Sequence, residues 1–135
     1  FKNNIRPGDT SVLHNINKPK NNRATGSEYE TLAAAFLEQN GHTIIARNYR
    51  TRYGEIDIIS KCSSTLVFTE CKYRSSSKFG DPLEAVNLHK QQKICHTAMN
   101  FCVKYGYVNY PCRFDVIAIY KDGTIKHIKN AFEYS

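Results

Sequence analysis

The sequence has no apolar run that approaches the roughly 20 residues a helix needs to cross a bilayer. Near its start, charged residues and asparagines stand where a secretory signal would have an apolar segment. No two of its five cysteines have the spacing of a zinc ribbon or a redox dithiol motif. These absences disfavour a membrane-spanning or secreted protein. We expect a soluble, cytoplasmic chain whose cysteines are mostly reduced core residues.

Length and charge limit the organisation of the chain. At 135 residues and 41% hydrophobic, it is long enough for one domain with a core and too short for two. Residues 1–25 carry five lysines and arginines against one aspartate, so +4 of the +7 net charge lies there. We predict a flexible basic arm over residues 1–25 and a single folded domain over residues 26–135. The arm is either a phosphate-seeking tail or a solvated linker.

The pattern of apolar residues predicts an α/β fold. Helical spacing covers residues 27–40, before Gly41, and residues 82–105, before Gly106, with Asp81 as the N-cap of the second helix. Five runs have the character of strands: 42–47, 55–59, 66–73, 113–120 and 124–128. This order predicts a central mixed sheet flanked by helices. The long second helix is the crossover that makes strand 113–120 parallel to an earlier strand.

Two acidic residues fall opposite each other in the second and third predicted strands. If Ser63-Ser64 is a two-residue turn, the residue numbers of cross-strand partners sum to 127, which places Asp57 opposite Glu70. A four-residue loop would keep the same faces and shift the pairs by two residues. Lys72 shares the face of Glu70, because alternate side chains of a strand point to the same side.

Carboxylates about 5 Å apart repel by about 3 kcal/mol at an effective dielectric near 20. A divalent cation such as Mg²⁺ or Mn²⁺ would remove that repulsion and leave positions open for a substrate phosphate. Lys72 could then hold the attacking water or stabilise charge on the phosphate. The alternative is that Glu55, Asp57, Glu70 and Lys72 form an exposed charge ladder, with each pair worth under about 1 kcal/mol.

Several separated motifs stand in a fixed order along the chain. They are Arg47-Asn48-Tyr49-Arg50, Gly54-Glu55-Ile56-Asp57-Ile58-Ile59, Leu66-Val67-Phe68-Thr69-Glu70-Cys71-Lys72-Tyr73-Arg74, Phe79-Gly80-Asp81-Pro82 and Arg113-Phe114-Asp115-Val116. Together with shorter matches over residues 26–132, they closely resemble the YraN-like family of small bacterial proteins. That family is similar to the PD-(D/E)XK, restriction-endonuclease-like superfamily. The resemblance implies metal-dependent nuclease chemistry and a core like that of Holliday-junction resolvases.

The resemblance also implies residue roles. Asp57 and Glu70 would be the metal ligands and Lys72 the catalytic lysine. Glu30 would be the acid of the first helix and would join the metal site through water. The chain departs from the family where Thr69 and Cys71 replace the usual valines around the glutamate. It departs again at Tyr29, where the family usually has a glycine before the helix glutamate.

Two further candidates have structural alternatives. Glu30 lies three residues after Ser27, so it is either part of a capping box or an acid directed toward the sheet. Lys90 occupies the apolar stripe of the second helix, between Val86 and Ile94. It either extends its ammonium to solvent or contacts an acid or phosphate at the site.

A basic segment follows the first predicted strand. We expect its side chains to grip a sugar-phosphate backbone, with the tyrosine stacking on a base; a solvated loop is the alternative. The candidate nucleic-acid contacts are Arg47, Tyr49, Arg50, Arg52, Arg74 and Lys90. Asp115 is interpreted as the partner of Arg113 in a structural ion pair. The histidines lack metal-ligand spacing and are given no role.

Together these features predict a Mg²⁺- or Mn²⁺-dependent endonuclease that acts on DNA rather than RNA, on a branched or damaged structure. Junction-cutting relatives work as dimers, so a homodimer is a reasonable expectation. The alternative is a non-catalytic module that binds nucleic acid or assists assembly while keeping the nuclease fold.

Overall fold

The computed structural model describes residues 9–13, 26–75 and 86–134. In chain order the elements are β1 (Asp9–Leu13), α1 (Gly26–Gln39), β2 (His42–Thr51), β3 (Gly54–Cys62), β4 (Thr65–Arg74), α2 (Leu88–Tyr105), β5 (Cys112–Tyr120) and β6 (Ile125–Phe132). The strands form one sheet in the order β1-β6-β5-β4-β3-β2. Strands β4 and β5 are parallel, and the other neighbours are antiparallel. The predicted α/β fold with a mixed sheet is confirmed, and α2 is the crossover between the parallel strands.

The two helices cover opposite faces of the sheet. Adjacent residues of a strand point to opposite faces, and Val116 packs in the α2 cluster while Ile117 packs in the α1 cluster. Strand β4 is buried without interruption from Leu66 to Glu70, as expected for a central strand covered on both sides. All five cysteines lie in described segments, and each is a free thiol. These free thiols agree with the predicted reduced state of the cysteines.

The turn between β3 and β4 has the predicted length. Pairing runs from Cys62 and Thr65 to Ile58 and Thr69 with Ser63 and Ser64 as the turn, so the predicted register is confirmed over this stretch. The ladder stops one residue before Asp57 would meet Glu70. Beyond this point β4 no longer pairs with β3 and pairs with β5 only. The two acids therefore lie where two paired strands separate.

Strand β3 is irregular at Asp57. Ile56 packs in the α2 cluster, Ile58 in the α1 cluster and Ile59 in the α2 cluster, so side-chain alternation is interrupted between Ile56 and Ile58. The neighbouring strand β2 has its own register shift between Ile44 and Ala46. The prediction that Asp57 and Glu70 pair across a regular ladder is wrong, because regular pairing ends before them.

Two boundaries differ from those predicted. Helix α2 begins at Leu88, where Asn87 caps it by accepting a hydrogen bond from the Lys90 amide at 2.9 Å. The predicted start at residue 82 is wrong, since Val86 lies in a bend; the predicted cap Asp81 falls outside the described segments. Strand β2 extends beyond the predicted end at residue 47 to Thr51, because residues 49–51 of the basic segment also pair with β3.

The predicted flexible arm contains one strand. Residues Asp9–Leu13 pair antiparallel with Ile125–Lys129 of β6 and form one edge of the sheet. The expectation of flexibility is wrong for these five residues, because a sheet edge offers unpaired backbone groups and needs no apolar side-chain pattern to recruit a strand. The rest of residues 1–25 lies outside the described segments.

Candidate active site

A cleft of about 490 Å³ opens beside the start of α1, at the place where β3 and β4 separate. Its walls come from α1, β2, β3, β4 and one residue of β5. The lining residues that matter for its chemistry are Tyr29, Glu30, Arg50, Asp57, Lys72 and Tyr73. Three of the four residues predicted to be catalytic thus share one cleft. The fourth, Glu70, lies two residues before Lys72 in β4.

Asp57 is a partly buried carboxylate that connects β3 to β4 where the backbone pairing of the two strands has ended. Its Oδ2 accepts a hydrogen bond from the Cys71 amide at 2.8 Å. Burial, followed by repulsion from Glu70, raises the pKa of Asp57 to about 7, although the bond from Cys71 acts in the opposite direction. Within the described segments no lysine or arginine forms an ion pair with Asp57. Its described polar contact is the Cys71 amide, and Lys90 attracts it from beyond ion-pair distance.

Glu70 is compensated by two lysines. It is 8% exposed, and its Oε1 lies 3.2 Å from Lys72 Nζ and 2.8 Å from Lys90 Nζ. Lys90 comes from α2, so the proposed acid contact by this residue of the apolar stripe is confirmed. Burial and the neighbouring Lys90 lower the pKa of Lys72. Burial also disfavours charge on Lys90, but its bonds to Glu70 and Lys72 raise its pKa overall.

Glu30 is turned toward the sheet rather than toward the end of its helix. Its Oε1 accepts hydrogen bonds from Arg47 Nε at 3.1 Å and Asn48 Nδ2 at 2.9 Å. Ser27 lies inside α1, and its carbonyl accepts a bond from the Thr31 hydroxyl. The capping-box alternative is therefore wrong. Repulsion from Glu30 also contributes to the raised pKa of Asp57, which places the two acids within electrostatic reach.

The predicted nucleic-acid contacts divide into two groups. Arg47 is engaged with α1, since it also donates to the Thr31 hydroxyl at 3.1 Å. The Tyr49 ring packs edge-on against Phe101, and its hydroxyl donates to Asn100. The expectation that this ring stacks on a base is not supported by its position, because it is packed on α2.

The remaining cations are more accessible. Arg50 has 73% of its side chain exposed, pairs with Glu55 at 3.3 Å and lines the cleft. Arg52 is exposed and lies over the ring of Tyr53, outside the cleft. Arg74 ends β4, and its Nε is buried without a hydrogen-bond partner in the described part of the chain. Arg50 is thus the predicted contact best placed beside the acids.

The residues fit a metal ion held mainly by two carboxylates. In the described segments no three histidine, cysteine or acidic side chains converge into a ready-made metal cage. Asp57 and Glu70 nevertheless offer hard oxygen ligands, and no cation of the described segments forms an ion pair with Asp57. Mg²⁺ usually retains several waters and needs only one or two carboxylates plus substrate phosphate. The donor set therefore suits Mg²⁺ or Mn²⁺, with Lys72 and Lys90 as competitors for Glu70.

The α1 face also contains a buried polar network. Asp115 accepts bonds from Arg113 Nε at 3.1 Å and from the Asn130 amide at 3.0 Å, and its Oδ2 lies 2.7 Å from His127 Nε2. The predicted structural pair of Arg113 and Asp115 is confirmed. Sequence reasoning missed His127, because its partner comes from the neighbouring strand and leaves no local spacing signal.

A stacked pair of tyrosines at the cleft was also missed. The rings of Tyr29 and Tyr73 have centroids 4.2 Å apart and planes inclined by 24°. One ring comes from α1 and the other from the end of β4. Only the departure at Tyr29 from the usual glycine could have drawn attention to this position.

A mixed sheet of this topology with a helix on each face is consistent with a restriction-endonuclease-like fold. The chain belongs to the family described as "Uncharacterised protein family UPF0102", whose model matches residues 29–119. This is the YraN family, and it is PD-(D/E)XK nuclease-like.

Curated relatives share most of their length with the chain. The UPF0102 protein of Desulforapulum autotrophicum is 50% identical over 107 residues, which are 77% of this chain and 88% of the relative. That of Lachnoclostridium phytofermentans is 44% identical over 114 residues, or 84% and 96% of the two chains. One from Vibrio vulnificus is 45% identical over 112 residues, or 81% and 92%. In the described segments, neither helix is long and apolar enough to cross a membrane.

Proposed function

We propose that the protein is a Mg²⁺- or Mn²⁺-dependent endonuclease that hydrolyses DNA phosphodiesters, with branched or damaged DNA as its substrate. The observation that carries this proposal is that Asp57 and Lys72 line one cleft, while Glu70 is ion-paired with Lys72 and within electrostatic reach of Asp57. Asp57 forms no ion pair with a lysine or arginine of the described segments, and burial, followed by repulsion from Glu70, raises its pKa. A structural charge ladder would give each acid a cationic partner instead.

Each residue has a distinct role in this proposal. Asp57 and Glu70 would hold the cation, which when bound supplies Lewis acidity toward the phosphate and lowers the pKa of water. Lys72 lies close enough to Glu70 to hold the attacking water or to stabilise charge on the phosphate. Glu30, fixed by Arg47 and Asn48, would orient water at the cleft wall.

The cationic side chains around the acids would position the DNA. Arg50 is exposed at the rim and can meet a backbone phosphate. Lys90 can exchange Glu70 for a phosphate once Glu70 binds the cation, because its pair with Glu70 is partly exposed. The basic net charge would favour the approach of an anionic polymer.

Cleavage of a DNA panel tests this proposal. The wild-type protein should cut at least one of linear, flapped, nicked and four-way-junction DNAs with Mg²⁺ or Mn²⁺ and none of them in EDTA. The Lys72→Ala variant should lose the activity by about a hundredfold or more. Lys104→Ala, which removes an exposed lysine at the end of α2, is the matched control and should keep it. Equal cleavage by the wild type and Lys72→Ala would indicate a contaminant and sink the proposal.

A second function is favoured by one observation. Glu70 already has two lysine partners, so its charge is balanced by the protein without a metal ion. A non-catalytic DNA-binding or assembly module with the nuclease fold would have such a site. It predicts DNA binding that is the same with Mg²⁺ and with EDTA, and no cleavage of any DNA in the panel.

A further inference from the structure

Tyr73 presents an aromatic surface inside the candidate active site. It immediately follows Lys72 in β4, lines the same cleft as Asp57, and is 43% exposed. Tyr29 covers one side of its ring, with centroids 4.2 Å apart. Since Tyr29 covers one face, the opposite face of the Tyr73 ring is the one on which a further planar group could stack. The cleft therefore combines a partly exposed aromatic residue, acids and cations.

The tyrosine pair is held more rigidly than a single surface ring. Tyr29 is fixed in α1, whose next turn buries Ala33 and Ala34 against the sheet. Tyr73 is fixed in β4 by its pairing with Ile119 of β5. Since both backbones are anchored, stacking a third planar group on Tyr73 would require little further ordering of the protein.

We propose that Tyr73, backed by Tyr29, stacks on an unpaired base of the DNA substrate and so selects DNA with single-stranded nucleotides beside the scissile phosphate. This inference rests on the proposed nuclease function and names its substrate class. Within a duplex both faces of a base are covered by its neighbours, so an open aromatic face can only accept a base that is unpaired or extruded. Flaps, gaps and frayed junction arms offer such bases.

The cations of the cleft are placed to support this arrangement. Lys72 precedes Tyr73 in β4, and the exposed Arg50 lies on the β2 side of the same cleft. A nucleotide whose base stacks on Tyr73 would therefore have positive charge within reach of its phosphates. Tyr49, the residue predicted to stack, is packed on α2 instead, whereas Tyr73 lines the cleft and is 43% exposed.

Binding without cleavage tests the inference. The probe is a single-stranded oligodeoxythymidylate that carries a 2-aminopurine, compared with the same strand annealed into a duplex, both in EDTA. The wild type should bind the single strand more tightly than the duplex and quench the 2-aminopurine fluorescence. Tyr73→Ala should weaken single-strand binding about fivefold or more and abolish the quenching, with duplex binding unchanged. Tyr73→Phe should behave as the wild type, because it keeps the ring.

Tyr134→Ala is the matched control, since Tyr134 is also 43% exposed and lies outside the residues that line the cleft. It should leave both affinities unaltered. Equal weakening of single-strand and duplex binding by Tyr73→Ala would assign the pair a structural role and overturn the inference. The wild-type comparison needs no variant, so it decides the matter even where Tyr73→Ala misfolds. Wild-type protein that fails to quench the single-stranded probe overturns the inference.

The two proposals fail in different ways. Wild type that cuts DNA in Mg²⁺ but does not quench the probe refutes the stacking surface and leaves the nuclease. Wild type that quenches the probe but cuts nothing refutes the nuclease and leaves a binding surface for unpaired bases.

Discussion

The ammonium of Lys90 lies 2.8 Å from Oε1 of Glu70 and thereby ties α2 to the end of β4. Lys72 reaches the same oxygen at 3.2 Å. Two protein cations thus form ion pairs with one acid of the candidate metal site, whereas no described cation lies within ion-pair distance of Asp57. A metal ion that binds there has to compete with these lysines for Glu70.

The Lys90→Gln variant should bind Mn²⁺ about two- to fivefold more tightly than the wild type. Removing a partly exposed ion pair worth up to about 1 kcal/mol frees Glu70 for the metal. Isothermal titration calorimetry measures the difference. Lys93→Gln, which changes an exposed lysine one turn further along α2, is the control and should have no effect. Weaker Mn²⁺ binding by Lys90→Gln would show that Lys90 supports the metal site instead of competing with it.

The Asp57→Asn variant should be more stable than the wild type in EDTA at neutral and alkaline pH. The pKa of Asp57 is raised to about 7 by burial and by Glu70, so the folded state favours the protonated acid. That contribution is complete below the ordinary pKa of aspartate and is lost as the pH rises through about 7. Asparagine keeps an acceptor for the Cys71 amide and carries no charge.

Urea unfolding should give the variant a free energy of unfolding about 2 to 4 kcal/mol higher at about pH 8, with the difference vanishing near pH 4. Glu38→Gln, at an exposed position of α1, should show neither effect. An Asp57→Asn protein that is less stable than the wild type at about pH 8 would contradict the assigned repulsion.

His42 should make the protein sensitive to acid. Its Nδ1 lies 2.9 Å from the Ser60 hydroxyl, and burial together with the nearby Arg113 lowers its pKa to about 4. Since this value is below that of an unfolded histidine, the stability it provides is present above about pH 6.5 and is lost as the pH falls toward 4. His127 and Lys129 act in the same direction, and Asp115 opposes them.

Between about pH 6.5 and 4, the wild type should lose on the order of 1 kcal/mol more stability than His42→Asn. Chemical unfolding at a series of pH values measures the two slopes. His89→Asn, at an exposed position of α2, serves as the control. Parallel slopes for the wild type and His42→Asn would contradict the lowered pKa.

Glycine at the first position of the β3–β4 turn should make the protein more stable than the native serine does. Ser63 has φ of 55°, in the left-handed region that favours glycine. Ser63→Gly should raise the free energy of unfolding by about 0.5 to 1 kcal/mol. Ser64→Gly is the comparison and should lower it, because Ser64 has no such conformation and gains freedom only in the unfolded chain. Destabilisation by Ser63→Gly would argue against this turn geometry.

Local features of the sequence were enough to predict the order of strands and helices from residue 26 onward. The register of β3 with β4 followed from the length of the Ser63-Ser64 turn, because a tight turn fixes the pairing of its neighbours. Lys90 could be recognised as a polar residue in an apolar stripe, and contact with an acid was one of the two alternatives that this position left open.

Other features depended on tertiary contacts that leave no local pattern. The end of the ladder before Asp57 accompanies irregularities in β2 and β3 that alternation alone cannot reveal. The stack of Tyr29 on Tyr73 depends on how α1 docks on the sheet. Strand β1 escaped prediction because an edge strand is recruited by backbone pairing rather than by an apolar face.

The central claim is that Asp57 and Glu70 form a divalent-metal site. Calorimetric titration of Mn²⁺ into the wild type, Asp57→Ala and the exposed control Glu38→Ala tests it most directly. If Asp57 is a ligand, the wild type and Glu38→Ala should bind Mn²⁺, and Asp57→Ala should bind it at least about tenfold more weakly. The same Mn²⁺ response from the wild type and Asp57→Ala would contradict it.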